Sequence, residues 1–139
     1  MRFLDANIFI YAFYKPIGSL DSYQKEMKEK AKDIIRRVNQ GKEEVVTTVV
    51  HLSEISNILK RSMSLEDLFT VLITLYSLDN VKILDVTKED YLGAVELMED
   101  LRLDPNDTLA VQAMRMEGVK EIYSFDRGFD EVENIERVV

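Results

Sequence analysis

The stretch MRFLDANIFIYAFY, residues 1–14, decides how the rest of the chain is read. Apart from Arg2, Asp5 and Asn7 it is apolar, as a segment of core would be, and MRFL reads as a short buried strand. Asp5 follows that strand directly. A carboxylate taken out of water costs several kcal/mol unless it is paired or bound to a cation. Asp5 therefore needs a compensating partner.

Outward from this stretch, EVVTT, VKILDV and EIYSF look like further strands, with IERVV, the weaker pattern, as a fifth. Helix-like segments follow the first three strands. Tyr23, Met27, Ala31, Ile34, Ile35 and Val38 recur at helical spacing, and Gly41 stands where that helix would stop. Ser64 to Asp67 and Thr87 to Asp90 fit capping boxes ahead of LFTVLITLYSL and YLGAVELMEDL. The expected fold is α/β, a three-layer sandwich with a central parallel sheet of about five strands. At 139 residues and 46% apolar, with no Pro/Gly/Ser-rich stretch or charge block, residues 1–139 read as a single domain.

Composition narrows the chemistry. Without cysteine there are no disulfides, thiolate metal sites or cysteine nucleophiles, and His51 is the sole imidazole. Any metal would be held by carboxylates, which points to magnesium or manganese. A formal charge of -8 argues against broad electrostatic adhesion to nucleic acid, but not against a nuclease whose cations bridge acids to phosphate. The cations from Lys25 to Lys42 are interleaved with Glu26, Glu29 and Asp33, as on a solvated helix face. The apolar run Leu68 to Leu78 is too short for a bilayer, which takes about 20 residues, and no basic leader precedes the opening strand. A cytoplasmic protein without a membrane partner is expected.

In open parallel sheets ligands gather at the carboxyl ends of the strands. Asp5 follows the first strand and Asp126 the fourth, so both would lie on that rim. Glu54 falls at the edge of the apolar stripe Leu52, Ile55, Ile58 and Leu59; it would be half-buried, either facing the rim or paired outward with Arg61. Asp104, Pro105 and Asp107 suit N-cap, N1 and N3 of a helix, so Asp107 is either a cap acid or a site acid. Its projection toward Ala110, Val111 and Met114, away from Thr108, Gln112 and Arg115, keeps the second option open. Asp126 has the same double reading, as a turn residue before Arg127 and Gly128 or as a site acid. Asp130 reads as an ordinary loop acid. Two carboxylates 4 to 5 Å apart repel by roughly 4 kcal/mol at an effective dielectric near 20, so a cluster of Asp5, Glu54, Asp107 and Asp126 calls for cations. Asn7 could orient Asp5 or a metal-bound water.

These residues carry a resemblance. FLDANIFIYAF, HLSEISNIL, NDTLAVQA and IYSFDRGFD, in that order, resemble the segments of the PIN domain family, in particular its small single-domain VapC-like toxins. The resemblance runs essentially end to end. It implies a PIN-like parallel sheet and metal-dependent hydrolysis of RNA, with magnesium or manganese held by Asp5, Glu54, Asp107 and Asp126 as the catalytic quartet. Asn7 and Ser124 would be supporting polar groups. Metal would bind a phosphate oxygen and acidify a water, with no protein nucleophile. Lys60, Arg61 and Arg127 are candidates to touch RNA phosphates. The family also implies a homodimer, for which LFTVLITLYSL is a candidate surface unless it is buried within the fold, and an antitoxin protein as a further partner.

Other classes stand against this reading. A haloacid-dehalogenase-like phosphatase wants a second Asp two residues after Asp5, where Asn7 stands. A receiver domain wants paired acids after the first strand and an acceptor Asp beyond the third, whereas Asp85 lies within VKILDV. A noncatalytic RNA- or protein-binding module on the same fold would have no use for the full quartet.

Overall fold

The computed structural model describes residues 1–15 and 18–139. Five strands form one sheet: β1 (Arg2–Leu4), β2 (Val45–Thr48), β3 (Val81–Leu84), β4 (Glu121–Tyr123) and β5 (Glu136–Arg137). All pairings are parallel, in the order β3-β2-β1-β4-β5. The expected five strands are thus all present.

Side chains alternate across the sheet, so adjacent residues of β1 serve different cores. Leu4 packs with Ile8, Phe9, Ile34, Ile35, Val38 and Ile55. Phe3 joins Val46, Val111, Met114, Ile122 and Phe129 on the opposite face. Two apolar layers on one sheet make the three-layer sandwich.

Among the described residues, six α-helices supply those layers. The apolar run after Asp5 is α1 (Ala6–Phe13), whose N-cap is Asp5 itself. The sequence bounds the opening strand at MRFL, but the first helix it marks is the Tyr23 to Val38 stripe, so α1 is an additional element. Next comes α2 (Ser22–Asn39), capped by Asp21 and Gln24 and ending before Gly41, whose φ of +73° suits the turn. Its buried side comprises Met27, Ala31, Ile34, Ile35 and Val38, whereas Tyr23, expected on that stripe, is exposed.

From β2 the chain enters α3 (Val49–Leu59) through the Thr48 cap, then α4 (Leu65–Ser77), where the Ser64 hydroxyl accepts from the Asp67 N–H. Thr87 and Asp90 close a full capping box on α5 (Lys88–Leu101). Asp104 caps α6 (Pro105–Glu117), with Pro105 in the first turn and Gly118 ending it in the left-handed region. On α6 the expected outward side is partly wrong: Thr108 is buried, its hydroxyl donating to the Ala94 carbonyl at 2.8 Å. α5 covers that side of the helix.

The helix α4 departs from the option that it is buried within the fold. Leu68 and Leu75 face inward, but Leu65, Phe69, Ile73 and Tyr76 are 78%, 65%, 46% and 58% exposed. Among the described residues, no helix is long and apolar enough to cross a membrane.

The chain builds outward from β1 to β2 and β3, then returns to place β4 and β5 on the other side of β1. The reversal leaves a crevice between the carboxyl ends of β1 and β4. Asp5 lies at the end of one strand and Ser124 to Asp126 at the end of the other.

Candidate active site at the carboxyl edge of the sheet

Asp5 is 4% exposed and held at both oxygens. The Ala6 N–H donates to Oδ1 at 2.8 Å and the Ser124 hydroxyl donates to Oδ2 at 2.6 Å. Ser124 is itself buried, and its oxygen accepts from Asn7 Nδ2 at 3.2 Å and from the Asp126 N–H at 3.0 Å. Asn7 Oδ1 accepts from the Phe125 N–H at 3.3 Å. One small network therefore ties the first turn of α1 to the segment after β4, and Asn7 and Ser124 both belong to it.

These bonds do not neutralise Asp5. Burial first, and then the charges of Glu54 and Asp126, push its carboxyl up to about 6 against the lowering effect of the Ser124 and Ala6 bonds. Both of those acids therefore lie within its electrostatic reach.

Asp107 occupies the first turn of α6, where its N–H donates to Asp104 Oδ1 at 2.9 Å. The cap belongs to Asp104, leaving the half-buried Asp107 carboxylate directed elsewhere. Its pKa is driven far above the usual carboxylate range, first by burial and then by the charges of Asp5 and Asp104. Its carboxylate also lies within hydrogen-bonding reach of Asp126. Two carboxylates in such contact must share a proton or a cation.

Asp126 takes the expected turn role: its Oδ1 accepts from the Gly128 N–H at 2.8 Å, capping the 3-10 turn Arg127–Glu131, and its charge acts on Asp107. Glu54 is half-buried on α3, with Oε1 accepting from Asn106 Nδ2 at 2.9 Å. Its pairing with Arg61 is not found among the described residues. Asp130 is a surface acid, bonded twice to Arg137.

Among the described residues, Asp5, Glu54, Asp107 and Asp126 take part in no ion pair with a lysine or arginine. Nor, among those residues, are three His, Cys, Asp or Glu side chains drawn into a closed ligand set. Mutual repulsion of uncompensated carboxylates opposes such closure. The donor chemistry nevertheless fits a hard divalent cation: oxygen ligands only, one of them buried without an ion pair.

The three candidate phosphate contacts are all exposed. Arg127 adjoins Asp126 at the start of the 3-10 turn. Lys60 and Arg61 follow the end of α3, roughly 9 to 11 Å beyond Glu54 along the helix axis. His51 is a core residue: Thr48 Oγ1 lies 2.7 Å from its Nδ1, Phe3 meets its ring edge-on, and burial pushes its pKa down to about 4.

Asn106 and Tyr91 were not singled out in the sequence. The Tyr91 hydroxyl donates to Asn106 Oδ1 at 2.7 Å, extending the contact that Asn106 makes with Glu54. The place of Asn106 beside Asp107 in a helix first turn was the available signal.

A sequence model of the PIN domain matches residues 2–135. A comparison with curated protein sequences finds no match. Among solved structures, the chain is similar to Mycobacterium tuberculosis VapC20, described as a sarcin-ricin loop cleaving toxin, with a TM-score of 0.67 and 19% identity over 91% of this chain and 90% of that one. It also resembles a chain in a toxin-antitoxin complex from Klebsiella pneumoniae, with a TM-score of 0.66 and 12% identity, covering 98% and 96% of the two chains. A third likeness is to Rickettsia felis VapBC2, bound to a DNA fragment from its promoter, with a TM-score of 0.65 and 15% identity over 99% and 96%. At these identities the shared feature is the fold, a five-stranded parallel sheet flanked by helices.

Proposed function

The chain belongs to the PIN domain family, and from this we propose that it is a metal-dependent endoribonuclease, the toxin of a toxin-antitoxin pair, acting as a single domain over residues 1–139. The observation that carries the reading is the buried Asp5 at the strand end, within reach of the charges of Glu54, Asp107 and Asp126, with no lysine or arginine paired to any of them among the described residues. Such an arrangement is costly in a resting protein and suits a site that takes up a cation.

In this reading Asp5, Glu54, Asp107 and Asp126 hold magnesium or manganese. When bound, the ion supplies positive charge for a phosphate oxygen and a water acidified enough to hydrolyse a phosphodiester bond. Ser124 and Asn7 fix Asp5 in one rotamer, and the Gly128 N–H does the same for Asp126. Arg127 is placed to meet a phosphate beside the site; Lys60 and Arg61 would meet the strand farther away.

The M. tuberculosis neighbour's description as a toxin that cleaves the sarcin-ricin loop favours RNA as the substrate. The toxin-antitoxin neighbours favour an antitoxin partner here too. The exposed row Leu65, Phe69, Ile73 and Tyr76 on α4 favours a homodimer built on that helix.

The test is cleavage of a labelled, mixed-sequence single-stranded RNA by wild type and Asp126→Asn, each with manganese and with chelator. Cleavage that requires both the metal and Asp126 supports the nuclease. Absence of both metal binding and cleavage replaces it with a noncatalytic module.

A further inference from the structure

Asn106 stands between a tyrosine on α5 and a candidate ligand on α3. Tyr91 donates its hydroxyl proton to Asn106 Oδ1 at 2.7 Å, and Asn106 Nδ2 donates to Glu54 Oε1 at 2.9 Å. The amide has one workable orientation, because turning it over would set its oxygen against a carboxylate oxygen. A donor at one end and an acceptor at the other also polarise the amide in the same sense.

The frame around this chain is firm. Thr108 donates to the Ala94 carbonyl at 2.8 Å and Gln112 to the Asp90 carbonyl at 2.9 Å, so two side chains of α6 dock α5 next to Tyr91. Tyr91 and Asn106 are therefore carried by two helices fixed to one another, and Glu54 meets them from α3.

Glu54 gains most from such support. Its long side chain must give up rotamer freedom whenever it binds an ion, and a carboxylate already held at one oxygen has less to lose. No partner for Glu54 Oε2 is found among the described residues, so the bonded Oε1 leaves the second oxygen available.

We infer that Tyr91 and Asn106 are positioning residues for Glu54: their hydroxyl-amide chain holds one carboxylate oxygen so that the other is presented to a divalent cation. This rests on the reading of Glu54 as a metal ligand. Neither residue touches the reacting phosphate. They act through the affinity of the site.

The test is manganese affinity, measured by calorimetry and by the paramagnetic resonance of free manganese, on the full chain. Wild type, Tyr91→Phe, Asn106→Ala, Glu54→Gln and the Asn106→Ala/Glu54→Gln double variant are compared. Loss of a hydrogen-bond partner behind a ligand typically weakens metal binding about 10- to 100-fold, which is the expected range for Asn106→Ala. Tyr91→Phe should show a smaller loss in the same direction. In the Glu54→Gln background, Asn106→Ala should cause little further loss, a coupling that a purely structural role would not produce.

Wild-type affinity in both Tyr91→Phe and Asn106→Ala overturns the inference, as does an Asn106→Ala loss that persists undiminished without the Glu54 carboxylate. If Asn106→Ala does not fold, Tyr91→Phe decides alone, since it removes one hydroxyl and keeps the ring. A wild type that binds no manganese overturns the metal site itself and the inference with it. The wild-type titration thus separates the two failures.

Discussion

Ser124 and Asp5, 119 residues apart in the chain, are joined by a 2.6 Å hydrogen bond from the serine hydroxyl to a carboxylate oxygen. The bond bridges the carboxyl ends of β4 and β1, where the order of strands reverses. It lowers the pKa of a carboxylate that burial raises. Ser124 therefore keeps Asp5 closer to the charged form that a cation needs.

Replacing Ser124 by Ala should remove that help. The Asp5 pKa is expected to rise above about 6, and any pH profile of metal binding should move its acidic limb toward higher pH. Asn7 Nδ2 and the Asp126 N–H lose their acceptor as well, so stability should fall by about 1–3 kcal/mol. Manganese titrations between pH 5 and about 8 check the first effect, and urea unfolding the second. An unmoved profile would show that the bond is structural alone.

The metal-free protein should be stabilised by Asp5→Asn, with a defined pH dependence. Burial raises Asp5 from 3.8 to about 6, so between those values the folded chain retains a proton that the unfolded chain has released. The Asp5 contribution is fully present below pH 3.8 and is lost as pH rises through this window. By about pH 7 the cost is on the order of 3 kcal/mol. His51 runs oppositely: its pKa is lowered from 6.5 to about 4, so its contribution is lost as pH falls through that range. Subtracting the wild-type stability from that of Asp5→Asn removes the His51 effect. The difference should grow from pH 4 to 6 and continue upward as Asp107, whose carboxyl the Asp5 charge also holds up, ionises; a flat difference would assign Asp5 a merely structural role.

Manganese should raise the melting temperature of the wild type and do much less for Asp126→Asn. At a free concentration of about 100 times the dissociation constant, binding to the folded state adds about 2.7 kcal/mol, on the order of 10 °C for a domain of this size. The substitution removes one of two carboxylates in contact, which should itself relieve repulsion in the metal-free protein. Equal shifts in the two proteins would put the ion elsewhere.

Phe69→Glu should leave the monomer folded, because that ring is 65% exposed and belongs to neither core cluster. If α4 pairs with a second copy, the charge must be desolvated in the interface, and association should weaken at least tenfold. Sedimentation over a range of concentrations measures this. A wild type that stays monomeric, or a variant that dimerises as well as wild type, would remove α4 from the interface.

Much of the fold was legible because its signals are local. Short apolar runs, the caps at Ser64, Thr87 and Asp104, and the stop at Gly41 act over three or four residues. The strand ends then placed Asp5 and Asp126 on one rim, and the PIN resemblance supplied the quartet with its supporting Asn7 and Ser124. The separate helix α1 was less visible because its apolar residues continue those of β1 without a break in composition.

By itself, then, the sequence determined the five parallel strands, several helix boundaries and the oxygen-only character of any metal site, since those follow from periodicity, local hydrogen bonds and residue type. The tertiary structure decided what the local pattern leaves open. It turned Asp107 away from the cap toward Asp126, bonded Glu54 to Asn106 rather than Arg61, and left α4 open to solvent. Each outcome depends on which distant segments meet. Burial and charge repulsion are set by those meetings, and so is the need of the Asp5 carboxylate for a partner.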